Sequence, residues 1–157
     1  MCAYIPVSTE PGSLELLDAL LAAGVRVLLP VTRTAPDGTP QPLWWGWYHP
    51  GQLRAARFGL REPAGADLPP VTVAEAGVIL VPALAVDRRG VRLGRGAGFY
   101  DRSLPLRRPA TRLVAIIRDE EFVDLLPGEP HDVTMSDVLT PGRGLVPVAD
   151  PATATPG

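Results

Sequence analysis

Dense apolar runs alternate along the chain with stretches of Pro, Gly and charged residues, and the spacing inside each run assigns its element. Cys2 to Val7 is almost uninterrupted apolar sequence and predicts a strand starting near the first residue. Ser8-Thr9-Glu10-Pro11-Gly12 predicts a turn. Leu14, Leu17, Leu20 and Leu21 share one helical face, with Ser13 as N-cap and Gly24 as stop, so a helix is expected over 14–23. Val25 to Val31 then reads as a strand buried on both faces. Strand, helix and strand in that order predict a parallel pairing with a right-handed crossover. The expected fold class is therefore α/β, a mainly parallel sheet flanked by helices.

Farther along, residues 32–42 form a polar Pro/Gly loop, and Leu43 to His49 predicts a strand carrying all three tryptophans. Alternation puts Trp44 with Gly46 and Tyr48 on one face and Trp45 with Trp47 on the other. That pattern suits a packed edge strand or an aromatic wall beside a flat heterocycle. Val78 to Val81 and Thr111 to Ile117 predict two more core strands, Asp119 to Leu126 a short acidic helix, and Asp137 to Thr140 a last strand. From Pro141 the composition turns to Gly, Pro and Ala. One domain over 1–141 is expected, followed by a disordered tail over 142–157.

With 157 residues the chain is long enough for a single domain with a sizeable core. The formal charge of −2 argues against a general nucleic-acid binder. All 15 basic residues are arginines, so no chemistry requiring a lysine is available. Cys2, the lone cysteine, excludes an internal disulfide and a Cys-based zinc site. No run approaches the roughly 20 apolar residues of a membrane span. No basic stretch precedes an apolar one at the start, so a reducing cytoplasm is the default expectation.

The densest chemistry lies between Val81 and Leu104, VPALAVDRRGVRLGRGAGFYDRSL. A strand passes a turn at Asp87–Gly90 and reaches Gly94, Gly96 and Gly98, after which Phe99 to Arg102 predict the first turn of a helix. Glycines at alternate positions expose backbone amides, and a helix start adds positive potential, a combination suited to phosphate. Arg92 and Arg95 add charge that forks onto phosphate oxygens. Asp101 stands where a phosphate-bound Mg²⁺ would sit. The same spacing also suits a tight strand-to-helix turn with surface arginines. It matches neither the Walker loop nor the dinucleotide fingerprint.

This stretch resembles the signature of the 5-formyltetrahydrofolate cyclo-ligase (methenyltetrahydrofolate synthetase) family, close to VPGLAFDRxGxRLGxGxGYYDRxL. Phe58-Gly59-Leu60-Arg61-Glu62-Pro63 is similar to the family's FGIxEP turn bordering the active site, and Glu129-Pro130-His131-Asp132 with the following Asp-Val-Leu-Thr to its second signature. The resemblance implies an architecture of the NagB/ribose-5-phosphate isomerase/CoA-transferase type. It implies ATP as co-substrate, Mg²⁺ as cofactor and a reduced folate as substrate, in a monomer or homodimer that binds neither nucleic acid nor membrane.

By the same match, ATP lies against Arg92, Leu93, Gly94, Arg95, Gly96, Ala97, Gly98, Phe99 and Tyr100. The folate meets Ile5, Glu10, Arg95, Gly96, Ala97, Gly98 and Phe99. Arg95 and Tyr100 are the expected catalytic residues, and Asp101 with Asp132 the expected metal ligands. Taken alone, Glu10 reads as a solvated turn carboxylate, and His131 with Asp132 as a metal pair or dyad.

Three departures accompany the resemblance. Ala97 replaces a family Gly or Lys, which costs on the order of 1 kcal/mol if the position needs φ > 0. Phe99 replaces a tyrosine and removes a hydroxyl. The basic helical segment that precedes the family's first strand is absent from this sequence. They leave open an alternative: a weakened or non-catalytic relative that binds nucleotide or folate in an accessory role.

Overall fold

A computed structural model of the chain describes residues 1–130 and 132–148. His131, considered above as a partner of Asp132, and residues 149–157 lie outside the described residues.

The first helix, α1 (Leu14–Ala22), starts where the Leu16 amide donates to the Ser13 hydroxyl at 3.3 Å and stops before Gly24, whose φ is 83°. Leu17 is its buried residue, and Leu14, Leu16, Leu20 and Leu21 pack around it. The strands that follow are β1 (Leu28–Val31), β2 (Trp44–Trp47), β3 (Leu53–Ala55), β4 (Arg61–Pro63) and β5 (Val78–Pro82). After them come β6 (Ala85–Asp87), β7 (Arg92–Leu93), the short helix α2 (Phe99–Ser103), β8 (Arg112–Ile116), β9 (Phe122–Val123), β10 (Asp137–Thr140) and β11 (Gly144–Pro147).

The main sheet is mixed. Cys2 bridges in parallel to both Leu28 of β1 and Ile79 of β5, β5 runs parallel to β8, and β8 parallel to β10. Antiparallel strands close both edges, β2 against β1 and β11 against β10. Two smaller pieces stand beside it, the β3–β4 hairpin and a three-stranded sheet in the order β7-β6-β9.

The apolar runs are continuous because the sheet interior is covered on both faces. Ile79, Val81, Leu113, Ala115 and Ile117 face one core, whereas Leu80, Val114 and Ile116 face the other with α1. The first core is closed by the 3₁₀ turn Pro70–Glu75 and by Leu104 after α2, so that face carries short turns in place of the expected flanking helices. Burial pushes the Cys2 thiol up to about 12, and the side chain acts as a small hydrophobe.

Three expected elements differ. The strand 2–7 contracts to the Cys2 bridges, since Pro6 has no amide for a ladder and Tyr4 and Ile5 turn into the core. The acidic helix over 119–126 is only a 3₁₀ turn, Asp119–Glu121, followed by β9, because Phe122 and Val123 extend to pair with Val86 and Asp87 of β6. The tail expected from 142 is ordered at its start. β11 pairs residue for residue with β10, and Val148 is buried.

Candidate active site

At the C-terminal ends of β1 and β5 the chain opens a cleft of about 570 Å³. This edge of an α/β sheet is where loops leave room for a ligand. One wall is Tyr4, Ile5, Val7 and Glu10, another is the β3–β4 hairpin with Phe58, Leu60 and Glu62, and a third is the unbroken stretch from Arg92 to Asp101. Every expected binding residue of the glycine loop, together with Ile5 and Glu10, therefore meets in one cavity.

Antiparallel pairing of β6 with β7 delivers the loop, with Val86 opposite Arg92. The Arg92 side chain is buried, and its Nη1 donates to the Pro82 carbonyl at 2.9 Å. A Cβ at Gly94 would lie 2.7 Å from that nitrogen, so any side chain there would have to displace the Arg92 guanidinium over which the loop passes. Gly98, at φ 85°, is the N-cap of α2. Ser103 then anchors α2, donating to the Phe99 carbonyl (2.6 Å) and accepting the Leu43 amide (2.8 Å). Ala97 is not at positive φ, so the strain expected of alanine there does not arise. With five residues, α2 adds less dipole than a full helix, and the loop amides and Arg95 remain the main anion donors.

Glu10 is mostly buried, not the solvated turn residue that its setting alone suggests. Its Oε2 accepts the Val7 amide at 3.0 Å and its Oε1 lies 3.3 Å from Arg95 Nε. The ion pair joins an expected folate contact to an expected phosphate contact across the cleft. Burial raises the Tyr100 phenol well above its ordinary value against the pull of Arg92, so Tyr100 stays protonated at any working pH.

The two expected metal ligands are placed differently. Asp101 lines the cleft with an 80% exposed side chain, 3.6 Å from Arg92 Nη2. Asp132 is not among the lining residues. Its Oδ2 accepts the Glu129 amide at 2.7 Å and reaches 3.7 Å from a Cβ built on Gly128, which packs on Val91, next to Arg92. Among the described residues no three His, Cys, Asp or Glu side chains form a metal cluster. A phosphate-bound magnesium keeps several waters and takes only one or two carboxylates, and the open hard-oxygen donor Asp101 fits that demand.

The tryptophans do not form an aromatic wall to the cleft. Trp45 is buried in the core, and Arg33 and Arg26 stack on Trp44 and Trp47 at 3.6 and 3.8 Å. The aromatics that line the cleft are instead Tyr4, Phe99, Tyr100 and Phe58, the last 76% exposed and held at φ 60°. Glu62 and Thr32 were not singled out by sequence. The buried Glu62 Oε2 accepts both the Thr32 amide (2.8 Å) and hydroxyl (3.0 Å), tying the second lip to the end of β1. The one available signal was the Glu-Pro pair of the FGLREP turn.

A family model described as the 5-formyltetrahydrofolate cyclo-ligase family matches residues 1–141, which include the whole cleft and Asp132. The chain belongs to this family. It is 60% identical over 146 residues to a 5-formyltetrahydrofolate cyclo-ligase of Mycolicibacterium smegmatis, covering 93% of this chain and 75% of that one. An Escherichia coli K12 protein of the same name shares 31% identity over 145 residues, 91% of this chain and 78% of its own. Among solved structures, the 5,10-methenyltetrahydrofolate synthetase of Aquifex aeolicus superposes with a TM-score of 0.73 at 24% identity, covering 95% of this chain and 71% of its own. That last likeness concerns the fold.

Proposed function

We propose that the chain catalyses ATP-dependent cyclisation of 5-formyltetrahydrofolate to 5,10-methenyltetrahydrofolate, with release of ADP and phosphate. The carrying observation is that Arg92–Asp101, Ile5 and Glu10 wall one cleft in a chain 60% identical to a cyclo-ligase. The N5-formyl group is amide-like, and its oxygen is a poor leaving group as hydroxide. Phosphorylating that oxygen makes it leave as phosphate when N10 attacks the formyl carbon. The chemistry needs alignment and charge neutralisation, and no protein nucleophile.

In this reading the amides of Gly94 to Gly98 and the Arg95 guanidinium hold the transferring phosphoryl group, and Tyr100 donates its hydroxyl. Ile5 and Glu10 hold the folate, with Ala97 and Phe99 lying between the two ligands. Asp101, with Asp132 as second carboxylate, would hold a phosphate-bound Mg²⁺, which would neutralise charge on the phosphoryl oxygens. We also read the parallel interior of the sheet as NagB/ribose-5-phosphate isomerase/CoA-transferase-like and the setting as cytoplasmic.

The test is direct. Purified protein with 5-formyltetrahydrofolate, Mg²⁺ and ATP is expected to develop the methenyl absorbance, with one ADP formed per ring closed. Tight ATP binding with no absorbance change would replace this reading with the accessory one.

A further inference from the structure

We infer that Asp87 is a positioning residue, with Arg89 as its strut, setting the phosphate-loop hairpin against the segment that carries Asp132. This rests on the cyclo-ligase reading for the roles of the loop and of Asp132. The contacts themselves do not depend on it.

Asp87 closes β6 and has no solvent exposure. Its Oδ1 accepts the amides of Arg89 (2.9 Å) and Val91 (3.0 Å), which shape the turn leading into β7. Its Oδ2 crosses to another part of the chain and accepts the Leu126 amide at 3.0 Å. Arg89 doubles that link. Its Nε and Nη2 donate to Asp87 Oδ2 at 3.1 and 2.9 Å, and Nη2 also donates to the Leu126 carbonyl at 2.7 Å. One carboxylate thus fixes the local turn with one oxygen and a distant loop with the other.

Both sides of this brace lead to the cleft. Beyond the turn, Val91 precedes Arg92, whose guanidinium underlies Gly94 and faces Asp101. Beyond Leu126, Gly128 packs so closely on Val91 that an added Cβ would lie 3.0 Å from its Cγ1, and the Asp132 carboxylate is beside it. The turn is seated a second time at Gly90, whose carbonyl accepts the Met135 amide at 2.8 Å. A Cβ there would lie 2.6 Å from the Met135 carbonyl. The backbone around Asp132 is therefore tied at 126 and 135 to the four-residue turn that launches the loop. Asp87 touches neither proposed ligand, and its effect on them passes through these contacts.

Asp87→Asn tests the hub, and Arg89→Met tests the brace with a half-exposed side chain whose loss leaves the turn amides bonded. Three readouts are taken on each full-length variant: melting temperature, amide hydrogen exchange over 90–98 and 126–135, and KM for MgATP against KM for folate. Arg89→Met is expected to melt a few degrees below wild type, because the buried Asp87 carboxylate loses its cation, while exchange at Leu126 and the 128–132 loop accelerates. Its KM for MgATP should rise roughly ten-fold and its folate KM by much less, because misplacement of about an ångström in a positioned site is costly and the folate is also held by Ile5 and Glu10 outside the braced loop. Asp87→Asn should show the same pattern, larger, with a lower melting temperature.

Equal rises in both KM values, or a lower melting temperature with unchanged KM values and exchange confined to 87–91, would reduce Asp87 to fold maintenance and overturn the inference. Exchange needs no turnover. If wild type failed to cyclise folate, the ligase reading would fall, while spread of exchange from 126–132 into 90–98 would still decide this one.

Discussion

The Arg92 side chain keeps 9% of its surface in solvent and directs its donors to the Pro82 carbonyl and Asp101, whereas Arg95 keeps 50% and meets Glu10 across the cleft. Burial lowers the Arg92 pKa and the Asp101 charge opposes that, and the guanidinium stays charged at any working pH. Identical side chains in one loop should therefore fail differently. Arg92→Met removes a buried donor from Pro82 and is expected to cost about 1–3 kcal/mol of stability, read in thermal or urea unfolding. Arg95→Ala should melt like wild type and lose roughly ten- to a hundred-fold in kcat/KM, the range for one charge-assisted hydrogen bond. Should Arg92→Met keep its stability and lose only ATP affinity, the structural role given to the Arg92–Pro82 bond is wrong. Asp87 offers a pH counterpart. Burial pushes its carboxyl up, but amides from Leu126, Arg89 and Val91 and the Arg89 guanidinium outweigh that and leave it below the ordinary value. A lowered folded pKa contributes stability that is complete above about pH 4 and is lost as pH falls through the folded value. Urea unfolding from pH 7 to 3 should show this loss in wild type and a weaker one in Asp87→Asn.

Among the elements, α2 depends most on a single contact. It is five residues long, too short to persist by itself, and Ser103 ties both its own first carbonyl and the Leu43 amide ahead of β2. Ser103→Ala is expected to destabilise by about 1–3 kcal/mol, since it leaves a buried amide unpaired, and to weaken ATP binding through the loop that α2 terminates. Ala97→Gly should bring no gain, because Ala97 has no positive φ to relieve; equal or lower stability in chemical unfolding checks it. What was legible follows the same division. Helix α1 was readable from its cap and leucine spacing, and the strands at 78 and 112 from unbroken apolar runs that two cores later explained. β9 was not, because it is held by pairing with β6, distant in sequence, and neither were β6–β7 and β11, whose local hairpin strands are too short to show a period. The 119–126 segment looked helical until β6, from another part of the chain, took Phe122 and Val123 into a strand pairing. Ile5, Glu10 and the glycine loop could be assigned to one site only through the resemblance, since nothing in their spacing brings them together.

For the molecule as a whole, the sheet presents one edge to two ligands, with Glu10 and Arg95 already in contact between their expected positions. Ligand binding to such a site raises folded-state stability by RT ln(1 + [L]/Kd), about 2.7 kcal/mol at a hundred-fold excess over Kd. For a domain of this length that is a rise of about 5–11 °C in melting temperature. Asp101 separates the nucleotide from its metal in this measurement. Its side chain is largely exposed, so Asp101→Asn should leave the ligand-free melting temperature unchanged. ATP with EDTA should shift wild type and variant alike, through the loop amides and Arg95. Adding Mg²⁺ should raise the shift further in wild type and far less in the variant, with Mg²⁺-dependent turnover falling in parallel. An equal magnesium increment in both proteins would remove Asp101 from the metal site and leave Asp132, on its loop against Val91, as the carboxylate to test next.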